Sequence, residues 1–251
     1  MSVLRGLRTV VLAPVFVVGT LLAAAIVFVL AITNRAEAAD RLVRSWSRFF
    51  LALAGSDLST EGSERIERSG QYVFIANHLS NLDIPVMFLA TGMPIRYLAK
   101  AELFKIPILK QAMDALGIVR VDRIAGAAIH YEVNEGVKAA RDRGDSLIIF
   151  PEGTRSVSGE MAGFKKGAFR IAITNQLDII PVTIVGTWEA WRPHSKIVMG
   201  GPVRAVVHDR ISVQGLALAD MDSLREQVHT VIRKEYEAQR ESISHRHRPS
   251  T

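Results

Sequence analysis

The segment Asn77–Asp83 (NHLSNLD) places a histidine five residues before a carboxylate, directly after the short apolar run Tyr72–Ala76. Histidine changes its charge near neutral pH, and a carboxylate beside it can fix its tautomer and stabilise the imidazolium. A regular helix turns by about 500° over this spacing, so the side chains meet only if His78 lies in an irregular turn and Asp83 begins a helix. The simpler interpretation is a polar loop in which one residue caps a helix. The alternative prediction is that His78 is a general base and that Asp83 orients it.

Two further polar clusters follow strand-like runs and carry arginines. The run that contains Arg120 ends in Arg123, and a second run leads into the turn Phe150–Ser156 (FPEGTRS). A guanidinium fork suits phosphate oxygens, and a glycine lets the backbone approach a ligand closely. Lys165 can meet headgroups or phosphates, or can simply be a solvated helix start. Each cluster alone can also be a surface ion pair or an ordinary turn. If the strands are parallel, both clusters converge with His78 on one crevice.

From about residue 71 onward, strand-like and helix-like runs alternate along the chain. The predicted strands are 72–76, 95–99, 118–121, 146–150, 179–185 and 203–207. Helical patterns are found at 83–91, 104–115, 125–143, 166–175 and 220–241. This alternation predicts an α/β fold with a largely parallel central sheet flanked by helices.

Residues 1–54 are predicted to be a membrane-associated region. The run from Val10 to Ile32 carries no charge. As a helix it would be about 35 Å long, enough to cross a hydrocarbon core, although a proline and a glycine within it also allow entry into one leaflet only. Arginines are denser after the run than before it, which puts the rest of the chain on the cytoplasmic face by the positive-inside rule. A cleaved signal peptide is the alternative, but the apolar run is longer than the apolar core of an ordinary signal peptide.

The remaining boundaries follow from composition. Residues 36–54 form a second predicted helix with Trp46 and Phe50 on an apolar face, which suits either an interfacial amphipathic helix or a helix packed on its own domain. The polar segment 55–70 is predicted to be a linker or a surface hairpin. The catalytic domain is predicted to span 71–243, and the polar tail 244–251 is predicted to be disordered.

The composition narrows the class of function. Cysteine is absent, which removes thiolate nucleophiles and Cys-ligated metals, and no cluster of other metal ligands is visible, so no metal site is predicted. The net charge is +6, and the excess lies at the two ends of the chain and not in its middle. Basic ends beside an apolar segment favour anionic phospholipids as partners, and they argue against nucleic acid.

Taken together, the motifs resemble those of the glycerolipid acyltransferase family, most closely its 1-acylglycerol-3-phosphate (lysophosphatidic acid) acyltransferases. The resemblance covers about residues 70–190. It is carried by NHxxxxD (Asn77–Asp83), GxxxxDR (Gly117–Arg123), FPEGTRS (Phe150–Ser156) and an apolar strand with Pro181-Val182. The family's second motif usually has an aromatic residue and Ile before Asp-Arg, where this chain has Arg120-Val121. The departure adds a cation near the expected phosphate site.

The resemblance implies the α/β acyltransferase fold and acyl transfer from a thioester, acyl-CoA or acyl carrier protein, to the hydroxyl of lysophosphatidic acid. The product is phosphatidic acid, and no cofactor is needed. His78 is implied as the general base and Asp83 as its partner. The acceptor phosphate is expected at Arg123, Glu152, Gly153, Thr154 and Arg155, with support from Asn77, Arg120 and Lys165. Asn77 or a nearby backbone N–H is the expected oxyanion donor.

Several alternatives stay open at this stage. The acceptor can be glycerol-3-phosphate, lyso-ornithine lipid or another lysophospholipid. A membrane-bound metal hydrolase with His78 and Asp83 as ligands belongs to a different enzyme class, and a non-enzymatic membrane adaptor is a third class.

Overall fold

A seven-stranded sheet forms the centre of the protein, described here from a computed structural model that covers residues 2–121 and 128–247. The strand order is β1-β7-β6-β2-β5-β3-β4. All neighbouring strands are parallel except β6 and β7, which are antiparallel. The strands are β1 Ser56–Glu61, β2 Val73–Ala76, β3 Ile95–Lys100, β4 Val119–Val121, β5 Ser146–Ile149, β6 Ile179–Val185 and β7 Gly201–Val207.

Helices cover both faces of this sheet. Side chains alternate across a strand, so in β2 Phe74 packs into the core on one face while Val73 and Ile75 pack into the core on the other. The first core lies under α2 and α3, and the second lies under α5, α6 and α8. The helices are α1 Ser2–Ile32, α2 Ala36–Ala54, α3 Asp83–Thr91, α4 Leu109–Leu116, α5 Ala128–Asp142, α6 Gly167–Asn175, α7 Thr187–Ala190 and α8 Met221–His247.

The prediction of an α/β fold with a largely parallel sheet is confirmed, and the six predicted strands match β2 to β7 to within a few residues. The helix predicted at 104–115 is divided into a 3-10 turn, Ala101–Lys105, and α4. The break falls at Pro107, which has no N–H to donate to a helix, and at Ile108, whose φ is +68°.

The prediction of a linker at 55–70 is wrong, because this segment supplies the edge strand β1. Leu58 pairs in register with Val203 of β7, and the whole strand runs parallel to it. Most of its polar side chains face solvent, as an edge strand allows. The sheet therefore begins at Ser56 and not at residue 71. The predicted disordered tail is also partly wrong, since α8 continues to His247; residues 248–251 lie outside the described part of the chain.

The first two helices form an antiparallel hairpin that packs along the side of the domain. Phe16 of α1 lies 4.2 Å from Phe50 of α2 between ring centroids, and α1 also contacts α4. Ala24 and Val27 of α1 are buried in the first core. The helix α2 is therefore packed on its own domain, between α1 and α3, although a part of its surface stays exposed.

A buried ion network attaches this hairpin to the sheet. Arg96 of β3 is 6% exposed and donates to Asp40 of α2 at 2.8 Å and to Asp145, just before β5, at 2.9 Å. Arg143 pairs with the second oxygen of Asp145 at 3.0 Å. Because the charges are desolvated together, each depends on its partners, and the network fixes α2 at the amino ends of the strands.

Candidate active site

The carboxyl ends of β2 and β5 lie side by side and bring the two strongest motifs together. Ile75 of β2 is in register with Ile149 of β5, and each motif begins within a few residues of these positions. The ring of His78 stacks on Phe150, with 4.2 Å between ring centroids and 16° between planes. The N–H of Ser156 also donates to the carbonyl of His78 at 3.1 Å. The predicted convergence of these two motifs on one crevice is therefore found in the structure.

His78 and Asp83 are in direct contact across an irregular turn. Asp83 is the first residue of α3, and its Oδ2 atom lies 2.8 Å from Nδ1 of His78. The same oxygen accepts the backbone N–H groups of Leu79 at 2.6 Å and Ser80 at 2.8 Å. These donors fix the carboxylate, which is fully buried, and the carboxylate in turn fixes the imidazole.

This geometry determines which nitrogen of His78 can act as a base. A carboxylate only accepts hydrogen bonds, so Nδ1 carries the proton that faces Asp83 and Nε2 carries the lone pair. The side chain of His78 is 17% exposed, whereas that of Asp83 is inaccessible. The pair can therefore take a proton from a group bound at the carboxyl edge of the sheet, and Asp83 stabilises the imidazolium that results.

Glu152 has a different position from the one predicted for it. Its Oε1 accepts the backbone N–H of His78 at 2.7 Å, and its Oε2 accepts the N–H of Ala162 at 2.8 Å. The residue is only 2% exposed, so it cannot present its carboxylate to a phosphate. Burial raises the pKa of the Glu152 carboxyl to about 7, and the negative charge of Asp83 adds to the rise, while the two N–H donors oppose it. Glu152 thus joins the His78 turn to the loop before Lys165.

The second half of the FPEGTRS turn, from Gly153 to Ser156, is partly or fully open to solvent. Thr154 is exposed, and the guanidinium of Arg155 donates to the side-chain oxygen of Asn81. Gly153 has φ +73°, and a Cβ there would lie 2.8 Å from Nζ of Lys165. The positive φ favours glycine at this position, and the missing Cβ leaves room for the ammonium of Lys165 over the turn. Arg155 and Lys165 thus form a cationic surface beside His78.

Asn77 is not available as an oxyanion donor. It is fully buried, its Nδ2 donates to the carbonyl of Ile184, and its Oδ1 accepts the N–H of Ile184, both at 2.8 Å. Both polar atoms therefore bind the backbone of the neighbouring strand β6. Asn77 therefore holds the turn that contains His78 against β6, and its side chain could reach a substrate only by breaking both bonds.

The described part of the second motif, which ends at Val121, lies on a different strand from those that lead into the first and third motifs. Arg123 lies outside the described residues. Arg120 is exposed on β4, which is the edge strand and is separated from β2 by β5 and β3. Three strand spacings correspond to about 14 Å, so Arg120 is not in the immediate surroundings of His78. Over the described ranges, no three His, Asp or Glu side chains are grouped as metal ligands.

Sequence reasoning missed two residues that hold the site. Ser80 is buried, and its hydroxyl donates to the carbonyl of Trp191 at 2.7 Å. Trp191 follows α7, a short helix that was not predicted. Nothing in the local sequence indicates this contact, because the two residues are 111 positions apart. The position of Trp191 just beyond β6, at the same edge of the sheet as His78, is the signal that could have suggested it.

A mostly parallel sheet with a His–carboxylate pair and a cationic turn at its carboxyl edge defines an α/β enzyme class equipped for base-assisted group transfer. The chain belongs to the acyltransferase family, because the family model described as Acyltransferase matches residues 57–185. This match confirms the resemblance found in the motifs.

Relatives and a solved structure agree with this membership. The chain is 33% identical over 156 residues to a 1-acyl-sn-glycerol-3-phosphate acyltransferase of Cocos nucifera, covering 62% of this chain and 50% of the relative. It is 29% identical over 197 residues to one of Borreliella burgdorferi, covering 78% of both. The fold matches the crystal structure of the lysophosphatidic acid acyltransferase PlsC of Thermotoga maritima, with a TM-score of 0.79, 24% identity and coverage of 94% and 95%. The chain spans only about half the length of the coconut relative.

Proposed function

We propose that the protein transfers a fatty acyl group from an acyl thioester to the free hydroxyl of 1-acylglycerol-3-phosphate (lysophosphatidic acid). The observation that carries this proposal is the 2.8 Å contact between His78 and Asp83 in a chain of the acyltransferase family. Relatives that carry the name 1-acyl-sn-glycerol-3-phosphate acyltransferase support the choice of acceptor. The donor is acyl-CoA or acyl carrier protein, and neither requires a bound cofactor.

The proposed mechanism uses His78 as a general base. An alcohol is a poor nucleophile until its proton is accepted, so Nε2 of His78 takes that proton as the oxygen attacks the thioester carbonyl. Asp83 stabilises the imidazolium through the bond to Nδ1. Collapse of the tetrahedral intermediate breaks the carbon–sulfur bond, and the leaving thiolate receives the proton from His78. The base is regenerated, and no covalent acyl-enzyme is formed.

The acceptor phosphate is proposed to bind the cationic surface beside His78. Arg155 offers a guanidinium fork, and Lys165 places an ammonium over Gly153. Thr154 is exposed at the same turn and can donate its hydroxyl. Arg123, which lies outside the described residues, belongs to the same proposal through its motif. Glu152 contributes by shaping the turn and not by contact with the phosphate.

The N-terminal hairpin is proposed to hold the enzyme on the cytoplasmic face of a membrane. The segment Leu12–Ile32 is long and apolar enough to cross a bilayer, with a mean hydropathy of 3.0. However, α1 packs on α2 and α4, while Val18, Leu22 and Ile26 on its outer side are half exposed. A helix with one side on a domain and an apolar side exposed suits insertion into one leaflet, parallel to the surface.

A panel of acceptors and donors tests the proposed function. The purified protein, in mixed micelles, is incubated with lysophosphatidic acid, glycerol-3-phosphate, lyso-ornithine lipid or lysophosphatidylcholine, and with palmitoyl-CoA or palmitoyl carrier protein. Phosphatidic acid formed from lysophosphatidic acid with the highest kcat/KM is the expected result. Preference for another acceptor would overturn the substrate assignment but not the acyl transfer. A lack of acylation with every pair would overturn the proposed activity.

A further inference from the structure

The turn Asn77–Asp83, which carries the proposed base, is held by a hydrogen bond to a residue outside its own motif. Ser80 donates its N–H to Asp83 at 2.8 Å, so its position helps to set the orientation of the carboxylate that holds His78. The hydroxyl of Ser80 accepts the N–H of Leu82 at 3.2 Å and donates to the carbonyl of Trp191 at 2.7 Å. A displacement of Trp191 therefore acts on the Asp83–His78 pair through one fully buried residue.

The ring of Trp191 is held by the N-terminal hairpin. Its centroid lies 6.1 Å from that of Phe50 on α2, and Phe50 lies 4.2 Å from Phe16 on α1. The indole N–H donates to the carbonyl of Ser195 at 3.0 Å, which folds the loop after α7 back on itself. The N–H of Val198 in the same loop donates to Thr9 of α1 at 3.2 Å. The loop thus rests on both helices of the hairpin.

A continuous set of contacts consequently connects the hairpin with the reacting centre. It runs from Phe50 through the ring of Trp191 to its carbonyl, then to Ser80 and on to Asp83 and His78. Each member is a packed ring, a hydrogen bond or a peptide unit, and Ser80 and Asp83 are fully buried. Neither end can shift without breaking a hydrogen bond or opening a cavity, so the position of Phe50 helps to fix the position of His78.

We propose that Trp191 is a positioning residue that fixes the His78–Asp83 pair to the N-terminal hairpin. The ring, seated on Phe50, holds the carbonyl that anchors Ser80, and Ser80 holds the carboxylate of Asp83. This inference rests on the proposed function of His78 and Asp83 as the base pair, but not on the identity of the acceptor. Misplacement of a catalytic group by about 1 Å can lower turnover by about 100-fold, so a partial loss of this anchor should have a measurable effect on kcat.

Steady-state kinetics of single variants provide the first test. Trp191→Ala should lower kcat about tenfold while KM for the acceptor and co-sedimentation with phosphatidylglycerol vesicles stay as in the wild type. Trp191→Phe keeps a ring against Phe50 and should restore kcat to within about threefold. The matched control is Phe49→Ala, which alters the neighbour of Phe50 on α2. Phe49 packs on Gly19 of α1 and has no described ring contact with Trp191. Its kcat should stay within twofold.

A double-mutant cycle separates positioning from a general loss of stability. Ser80→Ala removes the donor to Trp191 and should also lower kcat about tenfold. If both residues act through one anchor, Ser80→Ala with Trp191→Ala should be no more than about threefold worse than the worse single variant. Additive losses of about 100-fold would overturn the proposal. So would a Trp191→Ala enzyme, folded by circular dichroism, with unchanged kcat.

Hydrogen–deuterium exchange gives a readout that does not need activity. The amides of Leu79 and Ser80, bound to Asp83, should exchange faster in Ser80→Ala and Trp191→Ala than in the wild type and in Phe49→Ala. Unchanged exchange in both variants would overturn the proposal even if the enzyme acylates no acceptor of the panel. If Trp191→Ala does not fold, Ser80→Ala alone decides, since it removes one atom and leaves the apolar packing in place.

Discussion

The buried carboxyl of Glu152 should make the stability of the fold depend on pH in a direction opposite to that of most acids. Its pKa rises from an ordinary 4.5 to about 7 in the folded protein, because burial disfavours the charged form. Between these values the folded state binds more protons than the unfolded state. The free energy of unfolding therefore falls as the pH rises through this range.

The magnitude follows from the same two numbers. At 1.36 kcal/mol per pKa unit, the rise from 4.5 to about 7 corresponds to about 3 kcal/mol. This contribution is fully present below pH 4.5 and is lost as the pH rises through about 7. Glu152→Gln cannot titrate, so it should lack this dependence. Compared with the wild type in which Glu152 is protonated, the variant should be less stable by about 1–3 kcal/mol, because its amide nitrogen cannot accept one of the two backbone N–H groups. This second loss does not change with pH.

Urea unfolding, followed by tryptophan fluorescence in detergent from pH 4.5 to 8, measures both the pH-dependent contribution of Glu152 and the constant loss in the variant. The wild type should be more stable than Glu152→Gln at pH 4.5, and this advantage should shrink by about 3 kcal/mol by pH 8. Glu102→Gln, which removes an exposed carboxyl, is the matched control and should follow the wild-type curve. A constant difference between wild type and Glu152→Gln over the whole range would refute the reasoning.

Three further predictions concern other charged groups. Asp83→Asn should lower kcat by about 10²–10⁴-fold without unfolding the protein, because the amide no longer stabilises the imidazolium; activity within fivefold would contradict this. Arg155→Ala should raise KM for lysophosphatidic acid about 10- to 100-fold with little change in kcat; an unchanged KM would remove Arg155 from the phosphate site. Arg96→Met should lower the free energy of unfolding by about 3–5 kcal/mol in urea titration, because Asp40 stays buried without a cation and Asp145 keeps only Arg143; a loss under 1 kcal/mol would contradict the stabilising role of this network.

The contact between His78 and Asp83 could be predicted from sequence because its geometry is local. Five residues separate His78 from Asp83, and the only way for them to meet is an irregular turn followed by a helix, which the structure contains. The strands around them could be predicted for a similar reason. Strands buried on both faces, such as β2 and β6, form continuous apolar runs that differ clearly from the helices between them.

The features that were missed depend on contacts between distant parts of the chain. The strand β1 (SDLSTE) has one apolar residue, and its backbone is extended because it pairs with β7 about 145 residues later. Glu152 was assigned to the phosphate site through the resemblance of its motif. Its real partners are backbone N–H groups of His78 and Ala162, which no residue pattern reveals. Asn77 was misassigned for the same reason.

The role of His78 as the base is tested most directly by removing its imidazole and measuring acyl transfer. His78→Gln keeps a polar side chain of similar length, and His194→Gln, which alters an exposed histidine, is the control. With palmitoyl-CoA and lysophosphatidic acid in mixed micelles, His78→Gln should lose at least about 10³-fold in kcat while it stays folded and bound to vesicles, and His194→Gln should match the wild type. A folded His78→Gln enzyme with kcat within tenfold of the wild type would contradict the account.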